Sequence, residues 1–271
     1  MDMTLVVSGI LVIFSVAVVL SIFGKGGGEF YVPLLLTLGL PFQSAAGASL
    51  LCLIFSGTAM IIVYHTRTKN IDWPLAIALF STAGSASFLG GYFSGGVPVV
   101  YLKLTFATVL LVAAALMYMK KEDFLNTGPL SAGNCSQPYL WFRSGGEGDY
   151  CVNLLAVLPL VGIVGFLAGM VGISGGGLIV PILIILSRVP LRTAFSTNSV
   201  LVLLTSATAI IGKSASIGMD FSLAIPLASA AFLGAIIGAT LSKRIDLRHL
   251  QRYFVVVLVV AAVWMIYRAM V

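Results

Sequence analysis

Two glycine-rich stretches carry the chain's best candidates for chemistry: GKGGGEFYVP from Gly24 to Pro33, and GISGGGLIVP from Gly172 to Pro181, 148 positions later. Consecutive small residues leave backbone N–H groups unshielded. A short helix starting just afterwards points its positive end at the same place, so each stretch can form an anion site without a charged side chain. The residues assigned to that role are Gly24, Lys25, Gly26, Gly27, Gly28 and Glu29 in the first copy, and Gly172, Ser174, Gly175, Gly176 and Gly177 in the second. The copies differ at two informative places, where Lys25 and Glu29 are replaced by Ile173 and Gly177. A charge at membrane depth costs at least about 2.5 to 3.5 kcal/mol unless paired or wetted. Lys25 is therefore read as attracting an anion, and Glu29 as carrying a proton or neutralising the lysine. The plainer readings are a mutual ion pair at a solvated loop tip and glycines that only permit tight helix packing.

A polar cluster follows each break: Gln43, Ser44 and Ser49 in the first half, Arg192, Thr193, Ser196, Thr197, Asn198 and Ser199 in the second, with Ser49 opposite Asn198. Hydroxyls and amides near a helix start can replace water around an oxyanion, so Gln43, Ser49, Thr197 and Asn198 join the expected binding set. Arg192 is read as a cytoplasmic anchor, and His65 and His249 as interfacial. Cys52, Cys135 and Cys151 show neither C-x-x-C spacing nor histidine companions, so neither a metal site nor a disulfide framework is expected. No cofactor is called for.

The elements that must position these residues are membrane helices. Of 271 residues, 59% are hydrophobic and 9% charged, too little polar surface for a soluble globule. Apolar runs reach the ~20 residues a spanning helix needs. The first of them is read as a retained helix and not a cleaved leader. Each half contains a long helix, the glycine break, a short apolar segment and three further long segments. They fall at about 4–23, 29–40, 43–64, 73–93 and 99–119, then at about 152–171, 178–187, 193–212, 221–241 and 250–267. The match outlasts the glycines: Pro41 corresponds to Pro190, Asp72 to Asp220, Gly90 to Gly238, Phe106 to Phe254 and Met117 to Met265. Ala86, Gly90 and Ser94, opposite Gly234, Gly238 and Ser242, form a small-residue stripe of the kind that lets helices pack closely.

The expected fold is thus an all-α polytopic membrane protein of two repeats, 1–119 and 151–271, joined by a solvent-exposed linker at 120–150. Paired interruptions at corresponding positions are the sequence pointer to a transporter's binding site, because unwound backbone inside a bilayer persists only where it lines a protein cavity. The net charge of +6 is read as topology, not as nucleic-acid binding. If each broken pair enters and returns to its starting side, eleven basic residues from Arg67 to Arg252 share one face. Lys103, Lys213 and Arg268 fall on the other, with Lys25 near the loop tip. The opposite parity divides the basic residues almost evenly, so the positive-inside rule selects inverted repeats, both termini outside and the linker in the cytoplasm. The broken or re-entrant helices would then meet near the midplane of the plasma membrane.

The duplicated G-x-G-G-G-x-x-x-V-P-like segments, each followed about ten residues later by a Pro and a Ser/Thr-rich helix start, resemble the sulfite exporter TauE/SafE family. The matching positions are Gly24, Gly26, Gly27, Gly28 and Pro33, then Gly172, Gly175, Gly176 and Pro181. The resemblance implies a carrier, not an enzyme, for sulfite, thiosulfate, sulfoacetate, related sulfonates or other organic anions. Lys25 and Glu29 depart from the family's apolar pattern at the loop. Two other readings compete. A cation- or proton-coupled carrier would use Glu29 as its ligand. An intramembrane serine protease would use Ser174 in G-x-S-G, but the first copy has Gly26 there and His249 is expected at the far membrane face. Export of an anion can run on the potential alone, at about 2.3 kcal/mol per charge per 100 mV. Import would need a coupled proton or sodium ion. A homo-oligomer is compatible with everything in the sequence.

Overall fold

The computed structural model describes residues 3–119, 140–145, 148–216, 224–242 and 247–270. The first half comprises α1 (Met3–Ser21), α2 (Gly28–Thr37), α3 (Phe42–Val63), α4 (Trp73–Phe93) and α5 (Val99–Met119). The second comprises α6 (Leu154–Val171), α7 (Gly176–Ser187), α8 (Leu191–Ser216), α9 (Ala224–Leu241) and α10 (Leu247–Met270). The order of long and short helices is the expected one. Among the described residues, six helices are long and apolar enough to cross a membrane. Large apolar side chains such as Leu11, Ile77, Leu160, Leu233 and Val260 lie exposed on the outer faces, which suits contact with lipid and not with water.

The short helices are short for physical reasons. α2 has 10 residues and α7 has 12, about 15 to 18 Å at 1.5 Å per residue against a hydrocarbon core of about 30 Å. Each starts at a glycine break and ends at a turn, with Gly39 or Arg188 in the left-handed region.

Point contacts fix the relative directions of the long helices. Along α4 and α8, Asp72 meets Thr197, Ser87 meets Thr205 and Ser94 meets Lys213, so the two run the same way. Along α4 and α6, Gly165 abuts Ala83 and Gly169 abuts Ser87, again in the same direction. Hence α6 and α8 are parallel, and α7 returns the chain to the side on which α6 began. Gly234 abuts Phe14 and Ala17, and Gly238 abuts Val18, so α1 and α9 also run together. Lys103, near the start of α5, donates to the carbonyl of Arg268, near the end of α10; those two are antiparallel. The small-residue stripe does what its spacing suggests: Gly90 lies on the Phe166 carbonyl and Gly238 on that of Val18, approaches that a larger side chain would prevent.

Packing is shared between the halves. α1 lies on α9 as α6 lies on α4, α3 lies on α9 as α8 lies on α4, and α3–α8 and α5–α10 pair with each other. Exchanging the halves maps this set of pairs onto itself.

Two expectations need correction. The end of the linker, read as solvent-exposed, forms an antiparallel hairpin, β1 (Leu140–Gly145) and β2 (Gly148–Asn153), with Tyr150 and Val152 buried. Cys151 is disulfide-bonded, against the expectation of no disulfide, which rested on spacing alone. Cys52 is free and buried. Positions 120–139, including Cys135, lie outside the described residues, as do Asp220, Lys243 and Arg244; so do the side chains of Arg143, Arg248, His249, Arg252 and Phe254.

The hairpin is anchored at Asp72. Its carboxylate caps α4 by accepting from the Leu75 N–H at 3.1 Å, and it also accepts from the Tyr150 hydroxyl. Asp72→Ala is expected to cost about 1 kcal/mol for the lost cap plus about 1 to 3 kcal/mol for the stranded phenol. Tyr150→Phe leaves the cap and should cost less. Melting temperatures of the purified variants check the order; equal losses would mean that the Asp72 cap contributes nothing, and no loss in Tyr150→Phe would mean that the phenol contact contributes nothing.

Candidate functional site

The site is built from the two breaks. Gly24, Gly26 and Gly27 have φ of 62°, 73° and 99°, and Gly172 and Gly175 have 89° and 66°. Glycine is needed here because the left-handed region carries a Cβ penalty for other residues. These turns bring the chain out of α1 or α6 and straight into α2 or α7 at Gly28 and Gly176. Neither helix start is capped by a side chain of its own N-cap residue, so first-turn N–H groups face the space between the breaks.

The breaks touch. Ser174 Oγ donates to the Lys25 carbonyl at 3.3 Å and accepts from the Gly176 N–H at 3.4 Å. A Cβ on Gly28 would sit 3.2 Å from Ser174 N, and one on Gly177 would sit 2.7 Å from Glu29 Oε1. Each break also rests on the third helix of the other half. Gly24 lies against the Phe195 backbone of α8, and Gly172 lies against Ala46 of α3, where an added Cβ would come 2.5 Å from the alanine methyl. Asn198 joins both: its Nδ2 donates to the Gly24 carbonyl at 2.8 Å and lies 2.7 Å from where a Gly176 Cβ would be.

The charged residues of the first break are enclosed. Lys25 is 1% exposed and Glu29 is 2% exposed. Neither carboxylate oxygen of Glu29 accepts a well-aligned hydrogen bond. Its electrostatic neighbours are Lys25 and the backbone amides of Glu29 itself and Gly177. Ser49 Oγ and Asn198 Oδ1 are likewise buried without a hydrogen-bond partner, and Asn198 Oδ1 lies beside Gly176. The solvated loop tip imagined from sequence is therefore replaced by an interior position.

Not every expected residue converges. Thr197 turns the other way along α8, where its hydroxyl accepts from the Asp72 N–H at 3.1 Å. Gln43 donates to the Ser94 carbonyl at 2.9 Å beside Lys213, whose ammonium donates to Ser94 Oγ; it belongs to that cluster and not to the breaks. Arg192 is exposed, as expected of an anchor, and His65 is an exposed ring edge-on to Trp73. Two contributors escaped the sequence reading. Ser56 Oγ donates to the Gly26 carbonyl at 3.1 Å, and the ring of Tyr31 fills the space beside Gly27. Tyr31, two residues after Glu29, was the signal available for the second; Ser56 had none, lying mid-helix in an apolar run.

Residues 9–265 match the sulfite exporter TauE/SafE family. The chain belongs to that family. The probable membrane transporter protein YunE of Bacillus subtilis (strain 168) is 25% identical over 261 residues, covering 91% of this chain and 92% of its own. The probable membrane transporter protein MJ0441 of Methanocaldococcus jannaschii is 28% identical over 263 residues, covering 89% and 88%. No solved structure matches the chain. Membership makes this TauE/SafE chain a multi-pass membrane transporter.

Proposed function

We propose that this transporter carries small sulfur-containing or organic anions, such as sulfite, thiosulfate, sulfoacetate or other sulfonates, by alternating access, and that the cradle between the breaks is the binding site. The observation that carries the reading is the contact of Glu29 with Gly177, equivalent positions of two converging helix starts. Oriented backbone amides in a water-poor interior attract an anion without the desolvation penalty of extra charged side chains.

Repeats 1–119 and 151–271 are taken as inverted. The self-mapping set of helix pairs supports this, and so does the antiparallel α5–α10 pair, because equivalent helices related by an axis in the membrane plane must point oppositely. Arg67, Lys69, Arg188 and Arg192 are exposed at the end of the bundle where Asp72 lies, favouring that end and the linker as cytoplasmic and both termini as outside. A disulfide is at home in an oxidising compartment, so a Cys151 bond that persists in intact cells would place the linker outside and overturn this orientation. Rocking of one repeat against the other would open the buried cradle to each face in turn.

Flux assays in proteoliposomes test the reading. Wild type should carry at least one of sulfite, thiosulfate, sulfonate or carboxylate, faster when the potential drives anions outward. Asn198→Ala leaves the Gly24 carbonyl without its donor, worth about 1 to 3 kcal/mol, and should slow flux by up to about five- to 150-fold. Glu29 as a buried acid supports a second reading, a cation- or proton-coupled carrier. Flux abolished by Glu29→Gln but preserved in Lys25→Ala would select that reading and remove the first.

A further inference from the structure

Glu29 and Gly177 are equivalent positions, and the structure sets them against each other, with Glu29 Oε1 2.7 Å from where a Gly177 Cβ would lie. Where equivalent positions of two related halves face one another, one space serves both side chains. The first half fills it with a carboxylate and the second leaves it blank. That carboxylate is 2% exposed and has as neighbours one first-turn amide from each helix start, those of Glu29 and Gly177. These are the groups that make the cradle attractive to an anion in the first place.

We infer that Glu29 is a tethered anionic ligand seated in the transport cradle, which a soluble anion must displace in order to bind, and that the head group accepted is a single oxyanion of carboxylate or sulfonate size. This rests on the anion-carrier reading above. Neither oxygen accepts a well-aligned hydrogen bond, and the groups that hold the carboxylate are the two amides and Lys25, the same groups an incoming anion would engage. Asn198 Oδ1, buried and without a hydrogen-bond partner beside Gly176, is polar capacity that the short carboxylate leaves unused and a larger head group can engage. A tethered ligand competes at an effective concentration in the millimolar range or above, so it raises the apparent Kd of every free anion and admits only those that bind the cradle well. The asymmetry thereby acts as a specificity filter, a role that a structural ion pair would not give it.

The test compares full-length wild type with Glu29→Gly, Glu29→Gln and Glu29→Asp in detergent, titrating sulfite, acetate and methanesulfonate by calorimetry, with flux of the same anions in proteoliposomes. Emptying the shared space in Glu29→Gly should tighten the Kd at least about tenfold, and Glu29→Gln should tighten it less, since the amide still fills the space without the charge. Glu29→Asp is the deciding variant: it keeps the charge but draws the carboxylate back by one methylene, so a displaced competitor predicts tighter binding than wild type. Wild-type affinity in Glu29→Asp together with tightening in Glu29→Gly would reduce the effect to net charge and overturn the inference. Unchanged affinity in all three, or loss of binding in variants that remain monodisperse, would overturn it too. If wild type carries anions in these outcomes, the transport reading survives; if neither wild type nor any variant binds or carries an anion, both fall.

Discussion

Gly24→Val yields little or no folded protein, while Gly39→Val, at an equally left-handed glycine, is purified and melts close to wild type. That is the expected result of two substitutions matched in backbone cost and opposed in packing. Gly24 has φ of 62° and Gly39 has 86°, so each pays about 1 to 2 kcal/mol for placing a Cβ in the left-handed region. Gly39 has nothing within 4 Å of an added Cβ, whereas at Gly24 the Cβ would run into the Phe195 backbone. Backbone cannot rotate away as a side-chain tip can. The break would have to lift off α8, adding about 1 to 3 kcal/mol of overpacking and straining the Asn198 bond to the Gly24 carbonyl. Thermal melting in detergent reads the difference. Equal melting temperatures would show that the close seat of the first break on the second half contributes nothing to the fold.

The second large effect concerns charge. Lys25→Ala is expected to destabilise the protein by about 3 to 5 kcal/mol, the cost of leaving one partner of a buried charge pair. Lys25→Ala with Glu29→Gln should recover most of the loss, because no buried charge is then left alone. The two residues are 1% and 2% exposed, so solvent does little to screen either. Thermal unfolding of the two single variants and the double variant forms a cycle whose coupling term is the measurement. Additive effects would mean that Lys25 is held by its other contacts and that Glu29 does not depend on it. A stable, well-folded double variant has a further use: it supplies a cradle in which both breaks lack charge, as the second break does naturally.

Much of this architecture was legible from residue order. Twenty-residue apolar runs, the repeat offset and the recurring Gly90 and Gly238 announced ten segments in two copies, because a bilayer tolerates so few alternatives to the helix. The end of the linker was not legible. Its hairpin depends on pairing and on Tyr150 reaching Asp72, contacts 78 positions apart that no local composition encodes. Thr197 and Gln43 show the same limit from the other side. Their residue types suited an anion, but the rotation of α8 and the position of α4 delivered Thr197 to the Asp72 amide and Gln43 to the Ser94 carbonyl.

The sequence by itself determined that this is a duplicated helical membrane protein whose two glycine breaks matter, since hydrophobic length and glycine's freedom at positive φ are properties of residues and their neighbours. Only the tertiary structure decided that each break rests on the opposite half, that Lys25 and Glu29 are interior, and that Glu29 faces its own counterpart, Gly177. Those facts follow from how two copies pack against one another, and contacts between equivalent positions of a repeat have no signature along a single strand of residues.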